Sequence, residues 1–224
     1  MPERIRMAVW ISLFGFILSG PVGLALVTWL GPQPEWTSAI VFAEHYKWIQ
    51  SLPYYFGFFL IGGMLMLVLA HFIYHQQGEA RISWKLGLSL VLAIVFCTLI
   101  SFNYICQTTF VHQMAINYRP IYEPVLAAFS MSNPYSLAWA IEMWGYGILG
   151  ISLWLLADVY RKNSRWIPTL LLANMLLSLG SIAWTIVDAR WVMTTMGLGL
   201  YLFWNVLMIL ILVMILRQSG KIEV

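Results

Sequence analysis

Charge is the scarcest property of this sequence. Only 9% of its 224 residues are Asp, Glu, Lys or Arg, whereas about a quarter of the residues in soluble domains are charged. Hydrophobic residues make up 61% of the chain, a composition suited to lipid as the solvent. It excludes a soluble globular protein and predicts an all-α, multi-pass membrane protein whose first partner is the lipid bilayer.

The chain also has few cysteines and no established catalytic signature. Cys97 and Cys106 are its two cysteines, and they lie about 13 Å apart along one predicted helix, too far for a disulfide bond. No GxSxG, P-loop, HExxH or dinucleotide-binding motif is present. No basic cluster is dense enough to indicate a nucleic-acid partner, and we predict no cofactor.

Six apolar segments are long enough to cross a bilayer, for which an α-helix needs about 20 residues. Together they predict a single transmembrane domain over residues 1–224. The first segment is too long for the core of a signal peptide, so we expect it to be retained. The predicted spans cover about residues 7–30, 52–72, 86–109, 134–157, 166–187 and 196–216.

Lysine and arginine are unevenly divided between the two sides of these spans. With both termini inside the cell, nine of the twelve basic residues are cytoplasmic, as cytoplasmic loops generally require. We therefore predict an N-in/C-in topology. The inner residues are Arg4, Arg6, Arg81, Lys85, Arg161, Lys162, Arg165, Arg217 and Lys221, and the outer ones are Lys47, Arg119 and Arg190.

The segment between the first two spans is too polar to cross a membrane and too apolar for a free loop. Pro32 and Pro34 end the first helix. Apolar side chains then recur at helical spacing, at Trp36, Ile40, Ala43, Tyr46 and Ile49. This pattern predicts a short helix on the outer membrane interface, which would equally serve as a lid over the bundle.

Ser19, Gly20 and Pro21 interrupt the first span. Proline removes a backbone hydrogen bond, so we expect a kink there. Such breaks line substrate sites in transporters, and they also occur in membrane helices without any functional role.

The fourth span carries a lone glutamate. Asn133 suits an N-cap and Pro134 a first helical residue, so we expect the helix to begin there. Only fifteen uncharged residues follow Glu142 before Asp158, too few to cross the hydrocarbon layer, and the span must therefore draw Glu142 into its outer edge. Glu142 either extends to the interface or faces a polar cavity inside the bundle.

The fifth span has the most regular polar pattern. Asn174, Ser178, Ser181, Thr185 and Asp188 are spaced by four, three, four and three residues, which places them on one helical face. Small polar residues of this kind let membrane helices pack closely. The same stripe would also form one wall of a cavity that opens outward at Asp188.

Polar residues in the third and sixth spans complete the hypothesis of an outward-facing pocket between helices 3–6. We expect Asn103 and Asn205 at its floor, Gln107, Tyr146 and Ser181 in its walls, and Glu142 and Asp188 as its acidic groups. Trp139, Trp144, Trp184 and Trp204 would supply aromatic surfaces for a cationic or planar ligand. The predicted ligand-binding residues are Glu142, Asn103, Gln107, Tyr146, Ser181, Asp188, Asn205 and Trp204.

Histidine spacing raises the question of a metal. His71 and His75 are four residues apart near the inner end of the second span, a spacing that can chelate a metal on one helical face. His45 and His112 belong to the opposite side, so further ligands are lacking. We favour interfacial histidines without a metal.

Three functions remain open at this point. The preferred one is binding or transport of a small hydrophobic or cationic molecule, in which proton exchange at Glu142 would permit coupling. The second is a membrane-embedded enzyme of lipid or isoprenoid chemistry with Glu142, Asp188 and His112 as acid–base groups. The third is a structural subunit of a membrane complex. The expected location is the cell membrane, and the compact chain favours a bacterial inner membrane.

Overall fold

The computed structural model describes residues 2–78 and 84–219, and all regular secondary structure in these ranges is helical. The helices are α1 (Pro2–Ser19), α2 (Pro21–Leu30), α3 (Ala39–His45), α4 (Leu52–Gly78), α5 (Trp84–Cys106), α6 (His112–Ile116), α7 (Glu123–Phe129), α8 (Leu137–Leu155), α9 (Ala157–Tyr160), α10 (Trp166–Val187) and α11 (Thr195–Ser219). Short 3-10 turns cover Trp48–Ser51, Pro120–Tyr122 and Trp191–Met193, and a π-helical turn covers Gln107–Val111.

Six helical stretches are long and apolar enough to cross a membrane, which confirms the number of candidate spans. We number them span 1 (Glu3–Leu30), span 2 (Trp48–Gln76), span 3 (Trp84–Ile116), span 4 (Leu137–Tyr160), span 5 (Trp166–Val187) and span 6 (Thr195–Ser219). Span 3 continues past its predicted end at residue 109, because the π-helical turn joins α5 to α6 without a break.

The six spans form a closed ring in chain order. Each span packs against the next, and α11 returns to α1. Spans 1 and 2 approach closely at two glycines: a Cβ on Gly15 would lie 2.2 Å from the backbone nitrogen of Leu60, and one on Gly63 would lie 2.6 Å from that of Ser12. Small residues at such crossings are how membrane helices gain packing contacts. The central core takes residues from every span, including Val9, Met64, Phe96, Leu153, Leu171 and Ile211.

One end of the ring is covered by short helices, and we call it the capped end. There α3 packs on α6 and α7 around a second buried cluster of Ala39, Phe42, Val111, Ala115 and Leu126. The opposite end holds the start of α1 and the end of α11, and we call it the terminal end. Its assignment to the cytoplasm stays a prediction, and Arg81 and Lys221, which contributed to it, lie outside the described residues.

The short helix expected between spans 1 and 2 is present as α3, and one of its faces is buried against α6 and α7. The helix begins only at Ala39, because the Ser38 side chain accepts a hydrogen bond from the Val41 backbone as its N-cap. Ala39 and Phe42 are buried, whereas Ile40 is 46% exposed. The position of α3 at the membrane interface stays a prediction.

Span 1 is interrupted where proline predicted a kink. The backbone leaves helical geometry at Gly20, with φ −87° and ψ −103°, and α2 begins at Pro21. Before the break, α1 packs on spans 2 and 6. After the break, α2 packs on α4 and the turn Trp48–Ser51. Both halves of span 1 therefore pack on span 2, and the α1 half also packs on span 6.

Span 4 begins three residues later than predicted, and the N-cap assigned to Asn133 is wrong. Asn133 instead binds locally: its Nδ2 donates to the carbonyl of Ala127 at 2.7 Å and its Oδ1 accepts from the Tyr135 backbone at 3.1 Å. Ser136 is the N-cap, because its hydroxyl accepts from the Trp139 backbone at 3.0 Å. Glu142 consequently lies in the second turn of α8.

Candidate functional site

A cavity of about 610 Å³ lies within the ring toward the capped end. Pockets that hold drug-sized ligands have volumes of roughly 300–1,000 Å³. Five spans contribute several residues each to its lining, and span 3 contributes Tyr104. Most lining side chains are apolar, and the aromatic ones are Phe16, Tyr54, Tyr104, Trp139, Tyr146, Trp184, Trp191, Tyr201 and Trp204.

Glu142 forms part of the cavity wall and is 8% exposed. Two adjacent residues of span 3 donate to its carboxylate. Asn103 Nδ2 lies 2.9 Å from Oε2, and the Tyr104 hydroxyl lies 2.9 Å from Oε1. The Tyr104 hydroxyl also lies 3.1 Å from that of Tyr146. Each carboxylate oxygen thus has a neutral donor from the protein and keeps further acceptor capacity for a group in the cavity.

No cation of the described residues pairs with Glu142. The ion pairs in those residues join Lys85 and Arg161 to Asp158, and Arg190 to Glu35. Both groups of ion pairs are more than a third exposed, whereas Glu142 is buried. A buried carboxylate without a counter-ion is unusual, because removing a charge from water is costly unless that charge is paired.

Asn103 and Gln107, expected at the floor and in the wall, lie behind Glu142 instead of lining the cavity. Asn103 Nδ2 donates to Glu142 and to the carbonyl of Ala138 at 3.1 Å. Gln107 Nε2 lies 3.3 Å from Asn103 Oδ1 and 2.7 Å from the carbonyl of Phe129. Asn103 therefore holds the carboxylate from the protein side, and Gln107 supports Asn103 in turn.

Tyr146, Ser181, Trp204 and Asn205, which the polar pattern had brought together, all line the cavity. Trp204 Nε1 donates to Asn174 Oδ1 at 2.9 Å, which ties span 6 to span 5. Asn205 is 5% exposed, and its Nδ2 donates to the carbonyl of Tyr201. Its Oδ1 has no hydrogen-bond partner among the described residues.

Asp188 does not reach the cavity. It is exposed at the end of α10, where its Oδ1 accepts from the Arg190 backbone at 2.9 Å. Of the polar stripe on span 5, Ser178 and Ser181 border the cavity. Ser178 also packs against span 4, where a Cβ on Gly150 would lie 2.6 Å from its own Cβ. The stripe therefore combines helix packing with a short polar section of the wall.

The sequence matches no protein-family model, no curated protein and no solved structure significantly. What the cavity accommodates has to be inferred from its own chemistry.

The contributions of spans 1 and 2 to the lining were not expected, because the pocket was placed between helices 3–6. Gly20, Leu24 and Tyr54 line it, as does Trp191 from the turn between spans 5 and 6. The one sequence signal for this was the break at Gly20 and Pro21, which separates α2 from α1. Of the four tryptophans considered, Trp144 is 48% exposed and is not part of the lining.

The histidines lie away from the cavity. His71 Nε2 is 2.6 Å from the Tyr160 hydroxyl at the terminal end, and His112 Nδ1 is 2.9 Å from the Tyr46 hydroxyl at the capped end. Partial burial raises the pKa of Tyr46, so its hydroxyl stays protonated at neutral pH. Within the described residues, no group of three potential metal ligands comes together.

Proposed function

We propose that this multi-pass membrane protein binds a small, largely apolar organic cation in the cavity, with Glu142 as its counter-charge. One observation carries the proposal. Among the described residues that line the cavity, Glu142 is the one with a charged side chain, and it has no cationic partner. The proposal concerns ligand binding, which is a step common to receptors and transporters.

The first supporting argument is electrostatic. Hydrogen bonds from Asn103 and Tyr104 compensate part of the desolvation of the carboxylate, but they bring no positive charge. A cation in the cavity would supply it at a site largely shielded from water, where a charge pair interacts more strongly than at the surface. A neutral ligand would leave this interaction unused.

The second argument comes from the aromatic walls. Tyr146 and Trp204 pack edge to face with ring centroids 5.5 Å apart, and Trp184 and Trp191 stack at 5.6 Å. Aromatic faces attract organic cations, and quaternary ammonium groups in particular are held in this way. The apolar remainder of the lining favours a ligand whose body is hydrocarbon.

The two alternatives receive less support from the geometry. The acid–base set of the enzyme hypothesis is not assembled, because His112 and Asp188 are absent from the cavity lining. A purely structural subunit has no need of a cavity, and a buried carboxylate in its wall would only lower its stability.

Tetraphenylphosphonium, a bulky apolar cation, is a suitable probe for equilibrium binding to the purified protein. We expect Glu142→Gln to weaken its affinity about tenfold or more, which corresponds to a loss of about 1.4 kcal/mol. Gln keeps the size of the side chain and one acceptor oxygen, so the fold should persist, as a melting curve would verify.

The matched control is Glu44→Gln. Glu44 is also at the capped end but is exposed on α3 and is not part of the lining, so this change should leave the affinity unaltered. Equal affinity of wild type and Glu142→Gln would refute the proposed function. A neutral analogue that binds as tightly as the cation would also count against it.

A further inference from the structure

Polar contacts connect loop residues at the capped end of the cavity. Glu35, in the segment after α2, forms an ion pair with Arg190, in the segment between spans 5 and 6. Gln50 lines the cavity, donates to the carbonyl of Gly31 at 2.8 Å and accepts from Gln33 Nε2 at 2.6 Å. The ion pair joins the connection between spans 1 and 2 to the one between spans 5 and 6, and the bonds of Gln50 hold the first connection together.

The side of the cavity between α2 and α11 is built differently. The break at Gly20 directs α2 toward α4 and the turn Trp48–Ser51, whereas α11 packs on α1, α10 and the turn Trp191–Met193. Leu24 of α2 and Leu198 of α11 both line the cavity and are 43% and 47% exposed. Both residues belong to candidate membrane spans, so a gap between the two helices at this level would open toward the lipid.

Trp139 and Glu142 lie across the cavity from this gap. Span 4 is opposite span 1 in the ring, and Trp139 and Glu142 are three residues apart on α8, which places them on one helical face. Trp139 is 8% exposed and lines the cavity, and its Nε1 donor has no partner among the described residues. A ligand thus meets the carboxylate of Glu142 on one side of the cavity, with an apolar exit behind it.

We propose that the ligand is a single-chain amphiphile with an amine head group, and that it enters from the lipid through the gap between α2 and α11. The inference rests on the proposed function, because it assigns the head group to Glu142. The ammonium donates to the carboxylate, and the chain extends past Leu24 and Leu198.

The test measures association and dissociation rates of dodecylammonium with the whole protein in lipid nanodiscs. Leu24→Trp and Leu198→Trp each narrow the gap. We expect each to slow both association and dissociation, association by roughly tenfold, because the ligand passes the new indole on entry and on exit. Glu35→Gln, which opens the loop contact on the aqueous side, should leave both rates unchanged.

Leu202→Trp is the matched control, since Leu202 is 51% exposed on α11 and does not line the cavity. The lipid route is overturned if Glu35→Gln accelerates association while both gap variants keep the wild-type rates. Weaker affinity at an unchanged association rate would also overturn it, because the new indole would then merely occupy the cavity. If Glu142→Gln does not weaken dodecylammonium binding, the proposed function fails, whatever the route.

Discussion

The carboxylate of Glu142 depends on two donors that occupy neighbouring positions in span 3. In a regular helix, adjacent side chains point about 100° apart, yet the amide of Asn103 and the hydroxyl of Tyr104 both reach Glu142. They succeed because each approaches a different oxygen. This arrangement fixes the orientation of the carboxylate before any ligand arrives, which lowers the entropy lost on binding.

Tyr104→Phe should lower the stability of the protein by about 1.5–3 kcal/mol, because a hydrogen bond to a charged group is lost while the ring remains. In a Glu142→Gln background the same change should lower the stability by only about 0.5–1.5 kcal/mol, since the hydrogen bond that is lost then joins two neutral groups. Unfolding of the four proteins in mixed detergent gives both values. Identical costs in both backgrounds would mean that the Tyr104 hydroxyl does not act on the carboxylate.

Span 2 supports the same tyrosine by leaving room for its ring. A Cβ on Gly57 would lie 2.2 Å from Tyr104 Cε2. The ring also packs against Tyr54 and Phe58, with centroids 5.2 and 6.1 Å away, and its hydroxyl is held by Glu142. It therefore has little freedom to move aside.

Gly57→Ala should accordingly destabilise the protein by about 1–3 kcal/mol, as overpacking does, and should weaken tetraphenylphosphonium binding by displacing Tyr104. Gly62→Ala on the same helix is the control, because nothing lies within 4 Å of a Cβ there. It should be neutral or stabilising by about 0.5–1 kcal/mol, since alanine suits a helix better than glycine. Equal effects of the two changes would show that the Tyr104 ring adapts freely.

The elements themselves could largely be predicted from the sequence, because membrane helices are identified by apolar runs of a length fixed by the bilayer. Glu142 was recognisable for the same reason, as a charge inside such a run. The start of span 4 was misplaced because Asn133 and Ser136 are both good N-caps, and only the local bonds of Asn133 decide between them. Spans 1 and 2 line the cavity because of the order of the helices around the ring, and hydropathy does not specify that order.

At the scale of the whole molecule, the two ends of the ring differ in chemistry. The capped end holds the cavity and three basic residues, Lys47, Arg119 and Arg190, whereas most other described basic residues lie at the terminal end. Since lysine and arginine are retained on the cytoplasmic side, this asymmetry predicts that the cavity lies in the outer half of the membrane.

Cysteine labelling in intact cells tests that orientation. In a background with Cys97→Ala and Cys106→Ala, Glu44→Cys at the capped end should react with a membrane-impermeant maleimide. Asn163→Cys, exposed at the terminal end, should react only after permeabilisation. The reverse pattern would place the cavity in the cytoplasmic half, and an amphiphile would then have to reach Glu142 from the inner leaflet. The orientation therefore determines from which leaflet a ligand passes between α2 and α11.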